Sequence, residues 1–120
     1  MSKTFINLSN QHTNKWPKDR FQAAEEIADG GQIVNIAFPI LAPDASKEAV
    51  YEKATEVVNK VLSYSPDVVF CQGEFSTCFR IVELLKEAGV KVVTGCNERI
   101  IYKENGRDIS GFKFIQFREY

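Results

Sequence analysis

Three short polar segments of this sequence carry residue types that could bind or cleave a phosphorylated ligand. They contain hydroxyls, amides, one His, two Glu and one Arg, and they run from Ser9 to Lys15, from Gln72 to Thr77 and from Asn97 to Arg99. Each segment directly follows an apolar run that is typical of a β-strand. Because the carboxyl ends of strands form the usual ligand crevice of an open α/β sheet, we expect the three segments to gather at one edge.

The middle segment begins where a buried strand is predicted. Val68 to Cys71 are apolar without interruption, a pattern that favours a central strand covered on both faces. Gly73 permits a tight turn, and Ser76 or Thr77 is expected to cap the helix that follows. A helix N-terminus offers free N–H groups and a partial positive charge, which suits a phosphate. The alternative is a purely structural strand-to-helix turn.

Three charged or titratable side chains are the candidates for catalysis. Arg99 can fork onto a phosphate, or it can form a salt bridge with Glu98 or Glu74. Glu74 lies beside the predicted helix N-terminus, where a carboxylate acts as an electrostatic cap more often than as a base. His12 can shuttle a proton near neutral pH, or it can be an exposed loop residue. The candidates for ligand binding are Ser9, Asn10, Gln11, Lys15, Gln72, Gly73, Ser76, Thr77, Asn97 and Glu98.

The composition excludes several classes of function. Fifteen basic and sixteen acidic residues do not give the positive charge of a protein that grips long nucleic acid. The chain has no dinucleotide fingerprint, no Walker loop and no Gly-x-Ser-x-Gly elbow. One His and three dispersed cysteines, Cys71, Cys78 and Cys96, argue against a zinc site and for small buried thiols. We expect no metal, no cofactor, no membrane span, no signal peptide and a cytoplasmic location.

The elements that must position these residues follow the order of an α/β fold. A length of 120 residues corresponds to a single domain, residues 1–120. Strands are predicted over residues 4–8, 32–38, 68–71, 91–96, 100–102 and 112–117, with a helix in each gap between the first four. The sequence therefore predicts a three-layer α/β fold with a mainly parallel sheet, three crossover helices and a C-terminal antiparallel hairpin around Asn105-Gly106.

Two apolar sets in the second half of the chain give further expectations. The third helix is predicted to direct Phe79, Val82, Leu85 and Ala88 towards the sheet. The phenylalanines of the last strand, Phe112, Phe114 and Phe117, are expected to form core or a dimer face rather than a platform for nucleobases.

Several short motifs, spread over nearly the whole chain, carry a resemblance to a known family. They are Asn7-Leu8-Ser9-Asn10 followed by Lys15-Trp16, Gln72-Gly73-Glu74-Phe75, Glu98-Arg99 and Phe114-Ile115-Gln116-Phe117-Arg118-Glu119-Tyr120. With them the chain resembles a small CRISPR-associated family that is grouped with the ring nucleases of type III systems. One departure bears on catalysis: the family's pattern has a His directly after the Ser-Asn pair, whereas Gln11 holds that place here and His12 comes next.

The resemblance implies a stand-alone, Rossmann-like (CARF-like) homodimer that binds cyclic oligoadenylate, with cyclic tetra-adenylate as the expected ring. It implies metal-independent cleavage by an RNA 2′-hydroxyl, which switches off type III antiviral signalling. Arg99 and the N–H groups around Gly73 would then stabilise the phosphorane, with His12 and Glu74 as acid or base candidates. Two alternatives stay open: a non-catalytic cyclic-oligoadenylate sensor, and an unrelated binder or enzyme of small phosphorylated metabolites.

Overall fold

The computed structural model describes residues 2–120 as one five-stranded sheet with helices on both faces. The elements in chain order are β1 (Thr4–Ser9), a 3-10 turn (Thr13–Lys15), α1 (Lys18–Ala28), β2 (Gln32–Ala37), α2 (Lys47–Leu62), β3 (Val68–Cys71), α3 (Phe75–Glu87), β4 (Lys91–Glu104) and β5 (Arg107–Glu119). The spatial order is β2-β1-β3-β4-β5, with β1 to β4 parallel and β5 antiparallel to β4. The predicted Rossmann-like α/β fold is confirmed.

Alternation along the strands divides the core into two layers. In β1, Phe5 packs on the face covered by α1, whereas Ile6 packs on the face covered by α2 and α3. The predicted central strand is buried along its whole length, and its residues alternate between the same two faces. Within residues 2–120, none of the helices combines the length and apolar content needed to cross a bilayer.

β4 is longer than the sequence indicated. The prediction of two strands, residues 91–96 and 100–102, separated by a polar turn from Asn97 to Arg99, is wrong, because β4 runs without a break from Lys91 to Glu104. Asn97, Glu98 and Arg99 pair with β5 in an antiparallel ladder. These polar residues are compatible with a strand, because this part of the β4–β5 pair is exposed to solvent, where antiparallel strands carry polar side chains.

We call residues 97–112 the hairpin arm, because no helix covers them. The predicted Asn105-Gly106 turn is confirmed: these residues have φ of 52° and 78°, as a two-residue hairpin turn requires. Arg99 pairs with Phe112 and Ile101 with Ser110, all on the α1 side of the arm. Phe112 and Ile101 are 75% and 72% exposed there, so the arm presents apolar surface to solvent.

A β-bulge lies where the arm joins the body. Cys96 pairs with Gln116 and Asn97 pairs with Phe114, which leaves Ile115 as the extra residue of β5. Phe114 and Phe117 are three residues apart, and in a regular strand they would lie on opposite faces of the sheet. The bulge places them on the same face, with their ring centroids 4.9 Å apart. Phe117 packs against the α1-side core and Phe114 is buried against Phe117, as the core alternative predicted, whereas Phe112 stays exposed.

The face that α3 buries differs from the predicted one. Val82 and Leu85 are buried as expected, but the prediction is wrong for Phe79, which is 67% exposed, and for Ala88. The sheet-facing stripe is completed instead by Thr77, Cys78 and Ile81. Together with Val82 and Leu85 they recur at intervals of three and four, as the buried face of a helix requires. Because Thr77 and Cys78 are less hydrophobic than Phe79, the sequence pattern alone did not favour this face.

Candidate functional site

The site is set by the strand order. β1 connects through α1 to β2 on one face of the sheet, whereas β3 connects through α3 to β4 on the other. β1 and β3 are neighbours, and the connections that leave their carboxyl ends run to opposite faces of the sheet. The space between these two strand ends is therefore a topological switch point, where open α/β sheets bind ligands. A cavity of about 390 Å³ lies there, lined by Ser9, Asn10, Gln11, Arg20, Phe70, Gln72, Gly73 and Phe75. We call it the switch crevice.

Arg20 is the cation of the switch crevice, and it was not among the predicted site residues. Its guanidinium carbon lies 5.2 Å from the ring centroid of Trp16 and 5.8 Å from that of Phe114. Nη1 donates a 3.4 Å hydrogen bond to Oε1 of Gln11, while the buried Nε has no partner within residues 2–120. Burial lowers the pKa of Arg20, and the carboxylate of Asp19 partly offsets this, but a guanidinium stays charged at neutral pH. The side chain therefore has donor capacity to spare.

A buried amide network holds the loop that follows β1. Asn7 is 1% exposed, and its Nδ2 donates to the Gln11 carbonyl at 2.8 Å and to Oδ1 of Asn35 at 2.9 Å. Ser9 Oγ donates to Oδ1 of Asn7 at 2.7 Å. Nε1 of Trp16 also donates to the Gln11 carbonyl, at 3.1 Å. Since buried polar groups that are fully paired rigidify their surroundings, this network positions Ser9 and Gln11.

A packing constraint shapes the loop that follows β3. A Cβ atom at Gly73 would stand 2.5 Å from Cδ1 and Cζ of the buried Phe38 ring. Carbon atoms pack best at about 3.5–4.0 Å, so glycine is required here for close packing. Gln72 and Gly73 line the switch crevice, and Phe75, 91% exposed, forms part of its rim.

Glu74 is the N-cap of α3. Its carboxylate accepts from Ser76 N at 2.7 Å, Thr77 N at 3.1 Å, Ser76 Oγ at 2.6 Å and Thr77 Oγ1 at 2.8 Å. The hydrogen bond from the Ser76 hydroxyl, then those from the Ser76 amide and from Thr77, lower the pKa of Glu74 to about 2. The predicted cap by Ser76 or Thr77 is wrong, whereas the interpretation of Glu74 as a cap is confirmed. A carboxylate with so low a pKa is a poor acid or base at neutral pH.

The Glu74 cap occupies the N-terminus of α3, where the sequence predicted a phosphate site. The N–H groups of Ser76 and Thr77 already donate to Glu74, so the helix N-terminus is occupied by the protein's own anion. Glu74, Ser76 and Thr77 line a second cavity of about 260 Å³, bounded on its other side by residues 39–45 and Val50. The three residues thus lie outside the lining of the switch crevice.

The remaining predicted residues lie on other elements. His12 caps the 3-10 turn, with its Nδ1 accepting from Asn14 N at 3.1 Å, and Lys15 ends that turn with an exposed side chain. Asn97 and Arg99 lie on the α1 side of the hairpin arm, and Glu98 lies on the opposite side. Two of the three polar segments therefore meet at the crevice, through Ser9, Asn10, Gln11, Gln72 and Gly73.

Residues 3–118 match the model of the family described as "Uncharacterized protein MJ1673 family". The chain belongs to this MJ1673 family. No curated protein matches it. Membership of the MJ1673 family does not by itself indicate a reaction.

The lining of the crevice in this MJ1673-family chain limits its chemistry. It offers one guanidinium, a hydroxyl, three side-chain amides and aromatic faces. These groups suit an anion together with sugar hydroxyls or base edges, and Phe75 suits stacking. Among the described lining residues, no side chain titrates near neutral pH. The described residues also contain no group of three His, Cys, Asp or Glu side chains that could hold a metal ion. The lining therefore has hydrogen-bonding, cationic and aromatic groups of the kinds that sites for phosphorylated ligands use.

Proposed function

We propose that this protein binds a cyclic oligoadenylate, with cyclic tetra-adenylate as the expected ring, in the switch crevice and cleaves it in the cytoplasm. The observation that carries the proposal is Arg20, a half-buried cation at the topological switch point whose Nε has no hydrogen-bond partner among the described residues. The resemblance to the type III ring nucleases supplies the ligand class. Cleavage would remove a second messenger and so switch off antiviral signalling.

The proposed reaction relies on positioning and electrostatics. An RNA 2′-hydroxyl attacks the adjacent phosphate, giving a 2′,3′-cyclic phosphate and a free 5′-hydroxyl. Holding nucleophile and leaving group in line supplies up to about 7–11 kcal/mol. Arg20 would neutralise the phosphorane charge, while Ser9, Asn10 and Gln72 would orient ribose and phosphate. A positioned acid or base contributes about 10²–10⁴-fold, and the lining has none, so slow turnover is expected.

The proposal includes a homodimer that is joined through the hairpin arm. Ile100, Ile101, Tyr102, Phe112 and Ile115 are exposed large apolar residues of β4 and β5. Ile101 and Phe112 share the α1 side of the arm and offer roughly 250 Å² of apolar surface there, taking about 150–250 Å² for a whole aromatic side chain, whereas Ile100 and Tyr102 lie on its other side. A standard interface buries about 800 Å² per partner, of which a little over half is apolar. A second copy of the chain is the proposed occupant, because a two-fold symmetric ring suits a two-fold dimer.

A second candidate function is a sensor that binds the messenger without cutting it. The observation that favours it is that the described lining residues include no side chain that could act as an acid or base at neutral pH, the one charged group among them being the guanidinium of Arg20. In that case the Arg20 contact and the amide hydrogen bonds would supply affinity only, and the ring would be released intact.

The test measures binding and cleavage separately. Pure protein is titrated with cyclic tetra- and hexa-adenylate by calorimetry, and the same rings are incubated with stoichiometric protein in EDTA and analysed by chromatography. Linear or cyclic-phosphate products support the nuclease, and tight binding with intact rings selects the sensor. Stabilisation by ordinary nucleotides but not by the rings would instead indicate a metabolite binder.

Arg20→Ala and a matched control assign the effect to the crevice. Arg80 is another arginine whose buried Nε has no partner in the described part of the chain, and its guanidinium stacks on Tyr51 between α2 and α3. Arg20→Ala is expected to abolish measurable cleavage and weaken binding, whereas Arg80→Ala is expected to retain both. Equal behaviour of the two variants would remove Arg20 from the proposal.

A further inference from the structure

Two cysteines flank the turn between β3 and α3. Cys71 ends β3, Cys78 lies in the first turns of α3, and their Sγ atoms are 3.5 Å apart. Both are buried, whereas the third cysteine, Cys96, is half-buried and lies on β4. A disulfide between them requires the two sulfur atoms to approach from this distance to about 2.0 Å.

The surroundings make the two thiols unequal. The Cys71 thiol, the hydroxyl of Tyr120 and the backbone at Gly73 lower the pKa of Cys78 to about 7, against opposing effects of burial and of the Glu74 carboxylate. The hydrogen bond with Cys78, together with burial, raises the pKa of Cys71. The Tyr120 hydroxyl lies 3.6 Å from Cys78 Sγ and donates to the Cys71 carbonyl at 2.7 Å. Cys78 is therefore the thiol with more thiolate character, and Cys71 is its neighbour.

We propose that Cys71 and Cys78 form an oxidation site at which a peroxide generates an intramolecular disulfide. The Cys78 thiolate attacks the peroxide O–O bond, forming the sulfenic acid and releasing water or an alcohol. The Cys71 thiol then attacks the Cys78 sulfur, the S–O bond breaks, and a second water leaves with the disulfide in place. The peroxide accepts the two electrons that the thiols lose. This inference does not depend on the proposed ligand.

The disulfide would join the end of β3 to the first turns of α3. The segment enclosed by it contains Gln72 and Gly73, which line the switch crevice, and Glu74, which caps the helix. Closing a short loop restricts the unfolded chain more than the native one, so the oxidised protein is expected to melt at a higher temperature.

Mass spectrometry of the full-length protein tests the inference directly. Cleavage after Lys60 and Arg80 places Cys71 and Cys78 in one tryptic peptide, whereas cleavage after Lys91 and Arg99 places Cys96 in another. After treatment with stoichiometric hydrogen peroxide and alkylation, the first peptide is expected to lose two hydrogen atoms and carry no alkyl group. Alkylation of both its thiols, or sulfinic acid on Cys78 with a free Cys71, would overturn the proposal.

Variants separate pairing from general thiol oxidation. Cys96→Ser should form the same disulfide, because Cys96 takes no part in it. Cys71→Ser, which keeps a hydrogen-bond donor beside Cys78, should leave a Cys78 sulfenic acid that dimedone traps, and the Tm should no longer rise on oxidation. If Cys71→Ser does not fold, the wild-type rate decides: disulfide closure no faster than peroxide oxidation of Cys96 would contradict the inference.

Discussion

Gly73→Ala tests whether the turn after β3 is shaped by internal packing or by an approaching ligand. The added Cβ would stand 2.5 Å from Cδ1 and Cζ of Phe38, which is at least 1 Å inside the preferred carbon–carbon distance of about 3.5–4.0 Å. Phe38 is 3% exposed, so its ring can move only by displacing other core atoms. Overpacking of this kind costs about 1–3 kcal/mol, and we expect Gly73→Ala to lower the free energy of unfolding by that amount.

Urea unfolding followed by the fluorescence of Trp16, the single tryptophan, measures this free energy. Gly95→Ala is the matched control, because its Cβ would lie at an ordinary 3.4 Å from Cε1 of Phe70, and it should cost less than about 1 kcal/mol. In a Phe38→Leu background the cost of Gly73→Ala should fall by about 1 kcal/mol or more. An unchanged cost in that background, or no cost in the wild type, would refute the steric reasoning.

Four further outcomes are expected. Arg20→Ala should weaken cyclic-oligoadenylate binding about tenfold to a hundredfold, since hydrogen bonds to charged groups contribute about 1.5–3 kcal/mol, and calorimetry would measure it. The pKa of Glu74 is lowered to about 2, so the stabilisation by its carboxylate is present above about pH 5 and is lost as the pH falls towards 2. Glu74→Gln should therefore reduce the fall of Tm between pH 5 and pH 2, and an unchanged fall would contradict this. Ile101→Ser with Phe112→Ser should shift the protein to monomer in sedimentation, and an unchanged association state would exclude the arm as the dimer contact. Asn7→Leu should cost about 1–3 kcal/mol in urea unfolding, because it removes one donor each from Oδ1 of Asn35 and the Gln11 carbonyl and the acceptor of the Ser9 hydroxyl; a neutral result would show that the network is dispensable.

The parts of the fold that were predictable depend on local patterns. The apolar run from Val68 to Cys71 and the Asn105-Gly106 pair each determine their structure within a few residues, and both predictions hold. The continuity of β4 was not predictable in this way, because Asn97 to Arg99 resemble a turn until their pairing with β5 is known. Ladder hydrogen bonds, which are non-local, overrode local propensity there.

The candidate site was predictable only in part for the same reason. Ser9 and Gln72 follow strands directly, so topology alone brings them together. In the sequence Arg20 has the pattern of an ordinary charged residue of an amphipathic helix. It lies in the crevice against the ring of Phe114, and this contact between residues distant in the sequence could not be predicted from local patterns. One signal for the amide network was present in the sequence, because the first two apolar strands carry one Asn each. Burying an unpaired amide is costly, so the two side chains could have been predicted to pair, and Asn7 and Asn35 are direct partners in the β1–β2 register.

The bulge at Ile115 has a consequence for how the chain can vary in length. The two-residue turn at the tip sets one register for the pairing of β4 with β5 in the arm, and the pairing of the same two strands in the body has a register that differs by a single residue. The bulge absorbs that difference at one position, so the two registers are set independently. A matched pair of residues can therefore be added to or removed from the ends of β4 and β5 nearest the tip, with the turn kept, while Phe114 stays over Arg20. The arm is a module whose reach can be adjusted without disturbing the crevice.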